Sequence, residues 1–213
     1  MGEQEDLQVI SGRLERGEID SAQFLEQFTR FVATQIGCSR AGVRVFVGTS
    51  KGRALRSVAM FDADQSRMVT AIDMLGAGSG PYFEHLLRDG FVSVSEAQAD
   101  PITAAFTPDY LVPSNVVSVM DMCFAVNGEL FGTFSCEQLG VPVDWSQRQL
   151  QSLRKIASRA SLTLMHVVSA TVDTAPGALW ETSTPNRLTT MPMPLDLLDV
   201  KDPGAAAAPD SNT

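Results

Sequence analysis

The sequence predicts an α+β domain, an α/β sandwich in which a central antiparallel sheet is covered on one face by helices from both ends of the chain. Three observations carry this. Apolar residues recur at helical spacing from Phe24 to Ile36, the pattern turns strand-like between Ala41 and Glu137, and helical spacing returns from Leu150 to Val167. With 213 residues, 44% of them hydrophobic, the chain can bury one sizeable core and still carry extra terminal segments.

A short amphipathic helix is expected over residues 3–17, where Leu7, Ile10 and Leu14 share a face and Gly17 can end it. The second helix begins at Asp20, whose side chain caps free amides while Gln23 reaches back in a capping box; Gly37 stops it. Val43-Arg44-Val45-Phe46-Val47 reads as a strand, with Ala54 to Phe61 and Met68 to Leu75 as partners. Gly76, Gly78 and Gly80 break that pattern before a short helix at Tyr82 to Arg88 and a strand at Phe91 to Val94. Asp100-Pro101 opens another short helix at Ile102 to Phe106. The hairpin Val116–Val126 to Glu129–Gln138 turns through Asn127-Gly128. Ser146 and Gln149 repeat the capping-box spacing, and Leu150, Leu153, Ala157, Ala160, Leu164 and Val167 follow as a narrow stripe. That stripe is either a seam between two chains or a face buried against the sheet. The resulting division is 1–19, an N-terminal helical segment; 20–170, the domain; and 171–213, a Pro- and Ala-rich tail expected to be disordered. The tail holds six of the eleven prolines. Within it, Pro194 to Val200 mixes acidic and apolar residues, and is either a docking motif that folds on a protein partner or a short acidic-apolar patch.

A two-residue turn pairs Val126 with Glu129 and sets Cys123 opposite Gly132 and Cys136 opposite Val119. One face of the hairpin then carries Val117, Val119, Asp121, Cys123 and Ala125 with Leu130, Gly132, Phe134, Cys136 and Gln138. This nearly apolar face suits the terminal helices, with Gly132 leaving room for one to cross. The other carries Ser118, Met120, Met122 and Phe124 with Phe131, Thr133, Ser135 and Glu137. Pliant Met side chains beside hydroxyls and a carboxylate suit a ligand cavity. Asp121 falls on the helix-packed face, where an unpaired carboxylate is costly. Either it accepts structural hydrogen bonds there, or the register is shifted and it belongs to the cavity.

Tyr82-Phe83, Asp100-Pro101-Ile102-Thr103, Tyr110-Leu111, Ser118-Val119-Met120-Asp121, Gly128, Gly132, Cys136-Glu137 and Trp145 occur in an order that resembles the GAF domain. Within that family they resemble the branch found in bacterial sensor kinases and diguanylate cyclases, here standing alone. The resemblance covers about Phe24 to Leu164. It implies a pocket on the sheet face away from the terminal helices, beneath short helices and loops. The ligand-binding residues it implies are Tyr82, Phe83, Ser118, Met120, Met122, Thr133, Ser135 and Glu137, with Phe106 and Tyr110 as further lid residues. The function implied is a non-catalytic sensory or regulatory module of bacterial signal transduction that binds a small molecule, a protein partner, or both. Many such domains pair through their terminal helices, so a homodimer is expected. No kinase, cyclase, phosphodiesterase or DNA-binding sequence accompanies these motifs, so output is expected to pass to another protein.

Net charge of −9 argues against nucleic acid or an anionic membrane as a direct partner. No apolar run reaches the length of a membrane span. Cys38, Cys123 and Cys136 are odd in number and lack C-x-x-C spacing, which points to a reducing cytoplasm and to neither disulfides nor a metal site. The cofactor, if any, is not legible. His85 and His166 lack the nucleophile and orienting acid of a catalytic triad. Gly76-Ala77-Gly78-Ser79-Gly80 lacks the Lys-Ser/Thr of a phosphate loop. Where the family has a Cys-Glu-His motif, Gln138 replaces histidine, which argues against a metal or proton-transfer role, and the neighbouring Cys-His pair through which some GAF proteins attach a bilin does not occur. The free-methionine-sulfoxide reductases, also single GAF domains, are the alternative among enzymes, and a ligand-free dimeric scaffold is the other. The reductase reaction needs cysteines that meet in the pocket.

Overall fold

Local chemistry sets the helix ends where the spacing predicts. The computed structural model describes residues 2–49, 52–74, 80–127 and 129–171, all within one compact unit, Met1–Glu181; a second unit, Thr182–Thr213, and with it the Pro194–Val200 motif, lies outside the described residues. Helix α1 spans Gly2–Glu15 and α2 spans Ser21–Ile36. The Gln23 amide donates to the Asp20 carboxylate at 2.8 Å while the Asp20 amide donates to the Gln23 side chain at 3.0 Å, closing the capping box. Gly37 takes the left-handed conformation that ends the helix. At the other end of the domain, Ser146 and Gln149 form the same reciprocal pair before α4, Gln147–Thr171.

Six strands form one antiparallel sheet in the order β3-β2-β1-β6-β5-β4: β1 Arg40–Thr49, β2 Gly52–Asp62, β3 Arg67–Met68, β4 Phe91–Val94, β5 Val116–Val126 and β6 Glu129–Leu139. The expected strand from Met68 to Leu75 shrinks to the two residues of β3 and one isolated bridge, Leu55 with Met74. Between them the chain leaves the sheet edge. Helix α3, Gly80–Asp89, precedes β4. The short helix expected at Ile102 to Phe106 is a 3₁₀ turn at Ala104–Phe106 that runs into a π-helical turn at Thr107–Leu111. Single π turns of this kind recur at functional sites.

Two cores result. On one side α1, α2 and α4 bury Phe24, Phe28, Leu153, Ala160 and Leu164 against Val43, Phe134 and Cys136 of the sheet. The stripe on α4 is therefore spent within one chain: Leu153, Ala157, Ala160, Leu164 and Val167 are all buried, with Leu150 half-buried beside them. On the other side α3 and the 104–111 turns bury Tyr82, Phe83, Leu86, Phe106, Tyr110 and Leu111. Among the described residues no helix is long and apolar enough to cross a membrane.

The hairpin register differs from the simple reading. Val126 pairs with Glu129 and Ala125 with Leu130 as expected, but Phe124 then pairs with Gly132, so Phe131 is an extra residue in β6. A bulge of one residue reverses the faces of one strand relative to the other. Thr133, Ser135 and Glu137 keep the lid side. On β5 the faces exchange: Met120, Met122 and Phe124 go under the helices, and Val119, Asp121 and Cys123 come to the lid side.

Candidate functional site

Beneath the lid, the middle strands bring together side chains that sequence spacing left far apart. Arg44 of β1 lies almost fully buried between Glu137 and Ser135 of β6. Its Nη2 donates to Glu137 Oε1 at 2.7 Å and also to the Tyr110 hydroxyl, and its Nη1 donates to Ser135 Oγ. Tyr110, on the π turn, donates in turn to the same Glu137 oxygen, and the Arg44 guanidinium lies 5.2 Å from the centre of its ring. On β5, Asp121 stands opposite Ser135 and accepts a hydrogen bond from Tyr82 of α3. Tyr82 is wedged edge-on between Phe83 and Phe106, at 5.6 and 5.0 Å. Each lid element thus sends one tyrosine to one carboxylate of the sheet.

Two carboxyls face one guanidinium here. Burial raises the Asp121 carboxyl above its ordinary range; Arg44 and the bond from Tyr82 pull downward without cancelling it. Burial, with Asp121 close by, pushes Tyr82 well up as well, so it stays a donor. A folded-state value above the unfolded one means that the folded protein holds this proton to higher pH. The stabilisation is complete below the unfolded value, about 4, and is lost as pH rises through the raised folded value. Asp121→Asn keeps an acceptor for Tyr82 and has no proton to lose. Thermal melts across pH should therefore show wild-type stability falling relative to Asp121→Asn as pH rises from about 4; parallel curves would mean that the carboxyl is not perturbed.

Four polar atoms of this face are buried without a partner: Arg44 Nε, Asp121 Oδ1, Thr133 Oγ1 and Glu137 Oε2. An unsatisfied buried group costs about 1–3 kcal/mol. A cleft of about 310 Å³ approaches the cluster between the chain after β3 and the segment after the π turn, with Glu137 and Tyr110 among its lining residues. Glu137 is only 1% exposed and its Oε2 is fully buried, so the cleft borders this residue without opening the carboxylate to solvent.

The structure brings four of the eight expected site residues to this cluster: Tyr82, Thr133, Ser135 and Glu137. Phe83 sits in the lid core, 6.2 Å from the Phe46 ring, and supports Tyr82. Met120 and Met122 lie on the opposite face among the helix core, because the bulge turned them away. Ser118 faces neither cavity; it donates to the Ser95 carbonyl at 2.6 Å and accepts from the Val143 amide at 2.9 Å. Of the two readings of Asp121, the shifted register holds. Arg44 was missed altogether. Its visible signal was an arginine mid-strand in an apolar run, which alternation alone assigns to solvent.

The thiols are divided. Cys38 and Cys136 lie in the helix-side core, and Cys123 sits under α3, 3.6 Å from the Leu86 carbonyl, where burial and Asp121 push its thiol up to about 12. His85 lies 3.5 Å from Arg88 on the exposed side of α3, and His166 is exposed on α4. No group of three or more His, Cys, Asp or Glu suited to a metal occurs among the described residues.

Comparison with solved structures places this architecture beside photosensory domains. The chain is similar to the phycocyanobilin-bound GAF domain of a cyanobacterial phytochrome, with a TM-score of 0.60 at 13% identity, over 78% of this chain and 96% of the other. It is also similar to the phycoerythrobilin-bound GAF domain from a cyanobacterial phytochrome, with a TM-score of 0.59 at 14% identity, over 79% and 97%. The blue-light absorbing form of the Thermosynechococcus elongatus PixJ GAF domain gives 0.54 at 18% identity, over 81% and 94%. At these identities the likeness concerns the fold. No curated protein matches the sequence. The GAF domain family model matches residues 20–164, from the cap of α2 through the middle of α4 and across the whole sheet; the chain belongs to the GAF domain family.

Proposed function

We propose that this domain is a non-catalytic sensory module of bacterial signal transduction, of the branch seen in sensor kinases and diguanylate cyclases, that binds a compact small molecule under its lid. The observation that carries this reading is a buried cluster that ties both lid elements to the sheet, keeps Glu137 Oε2 without a partner, and borders a cleft lined by Glu137 and Tyr110. A ligand that satisfies this oxygen changes what holds Tyr110, and with it the π turn. The sheet then passes the change to α2 and α4 on its other face. The phycocyanobilin-bound and phycoerythrobilin-bound GAF domains of similar fold support a small-molecule role. Their ligand is not carried over, because this cleft lies at the lower end of the range of about 300–1,000 Å³ usual for small-molecule sites.

The divided thiols favour the binding module over a thiol reductase, since Cys38 and Cys136 are buried in the helix-side core and Cys123 lies apart from them beside the lid core. Three free thiols also suit a reducing cytoplasm. Pairing of two chains through the terminal helices would use the outer side of α4, where Leu162 is exposed, since the inner stripe is spent. Native mass spectrometry of the purified protein should show a retained small molecule of a few hundred daltons or less, lost in denaturing spectra. A bare mass, with no thermal stabilisation by any metabolite in a broad screen, would reduce the domain to a scaffold.

A further inference from the structure

We propose that the outer side of α4 is a docking surface for an acidic amphipathic helix of a partner protein, laid along the line of Arg148, Gln151, Lys155, Ser158 and Leu162. The inference goes beyond the sensory reading and does not depend on what the lid holds. Helix α4 carries Arg148, Arg154, Lys155 and Arg159 and not one Asp or Glu, in a chain whose net charge is −9. Its apolar stripe is spent on the sheet, and all four cations lie on the exposed side. The ion pairs among the described residues use arginines from Arg13 to Arg88 and none of Arg148, Arg154 or Lys155. Arg154 instead rests 5.7 Å from the Phe91 ring.

Spacing selects a helix as the occupant. Arg148, Gln151, Lys155, Ser158 and Leu162 recur at intervals of 3, 4, 3 and 4 residues, the period of one helix packed along another. Arg154 and Arg159 fall on the two flanks of this line, the positions whose charges choose the partner. Glutamates facing these cations, with an apolar residue over the 57% exposed Leu162, complement the face. A second copy does not, because α4 against α4 sets cations on cations with no acid on either helix. A broad polyanion fits no better. With +4 on α4 the remainder of the chain carries −13, which repels a membrane or a duplex wide enough to overlap it but spares a single helix. Since α4 covers the sheet face away from the lid, a helix docked there stands where a change under the lid is passed on.

The test titrates the purified protein with synthetic peptides of about three heptads. One is a helix with Glu facing the α4 cations and Leu facing Leu162; a second has Lys for each Glu; a third breaks the acidic helix with central prolines. Calorimetry should show saturable binding of the first, at least about tenfold tighter than either of the others. Its affinity should fall about tenfold between about 0.1 and 1 M salt, where the screening length drops from about 10 to 3 Å. Arg148→Glu with Lys155→Glu changes two exposed side chains that hold no ion pair, so this variant should melt as wild type. It should lose the acidic helix and gain the lysine one. Acidic peptide bound as well by the double variant, or as well when its helix is broken, would overturn the docking surface. So would a wild-type dimer in light scattering that the double variant dissociates, which assigns the face to a second copy. Binding of phosphatidylglycerol vesicles as tight as that of the peptide would overturn it in favour of lipid.

Discussion

Gly132→Ala is expected to yield little or no folded protein. A methyl group on Gly132 would stand 1.9 Å from the backbone carbonyl oxygen of Arg44 and 2.8 Å from the Phe124 ring. The oxygen belongs to β1, whose pairing with β6 runs from Arg40 with Glu137 to Val45 with Gly132, so neither strand can retreat without breaking that ladder. Spacing alone suggests that this glycine makes room for a crossing helix; the room is in fact taken by the neighbouring strand. The cost should exceed about 4–5 kcal/mol, beyond the range of most single substitutions. Soluble yield and circular dichroism would show it. Gly12→Ala on α1 is the control: its methyl would meet only the flexible side chain of Arg16, just past the helix end, and melting should be unchanged or slightly higher. A well-folded Gly132→Ala protein with wild-type melting would mean that β1 and β6 do not approach in this way.

What the sequence reveals and conceals follows from how local each cause is. The capping boxes at Asp20 and Ser146 bind residues three apart, and both are legible. The turn is legible because Asn127 accepts the left-handed conformation that a two-residue hairpin loop requires. The bulge at Phe131 is not, because one more aromatic residue in a strand looks the same whether it is paired or extra. Yet that residue decides whether Asp121 or Met120 faces the lid, and so two of the eight expected site residues, Met120 and Met122, changed sides. Arg44 is hidden for a different reason. Alternation in Val43-Arg44-Val45-Phe46 tells which residues share a face, but whether that face meets water or a lid depends on residues 80–111, which come later in the chain.

Arg44→Met should destabilise the domain strongly, by about 3–5 kcal/mol, because it leaves Glu137 and Asp121 buried with no cation between them. At roughly 2–4 °C per kcal/mol for a chain of this size, the melting temperature should drop by about 10 °C. The informative comparison removes the charges together. In Arg44→Met with Glu137→Leu and Asp121→Asn, no ion remains to be desolvated and the apolar side chains fill similar volume, so most of the lost stability should return. Such recovery would mean that the cluster is not required for folding, although it costs desolvation and leaves Glu137 Oε2 without a partner. A site that the fold does not need, reached by a cleft and tied to both lid elements through Tyr82 and Tyr110, is then explained by what it binds. The triple variant should accordingly melt near wild type and be indifferent to any ligand that stabilises the native protein. If it is instead as unstable as Arg44→Met alone, the ion cluster is a net structural contributor, and its orphaned oxygen is a cost of folding rather than a binding contact.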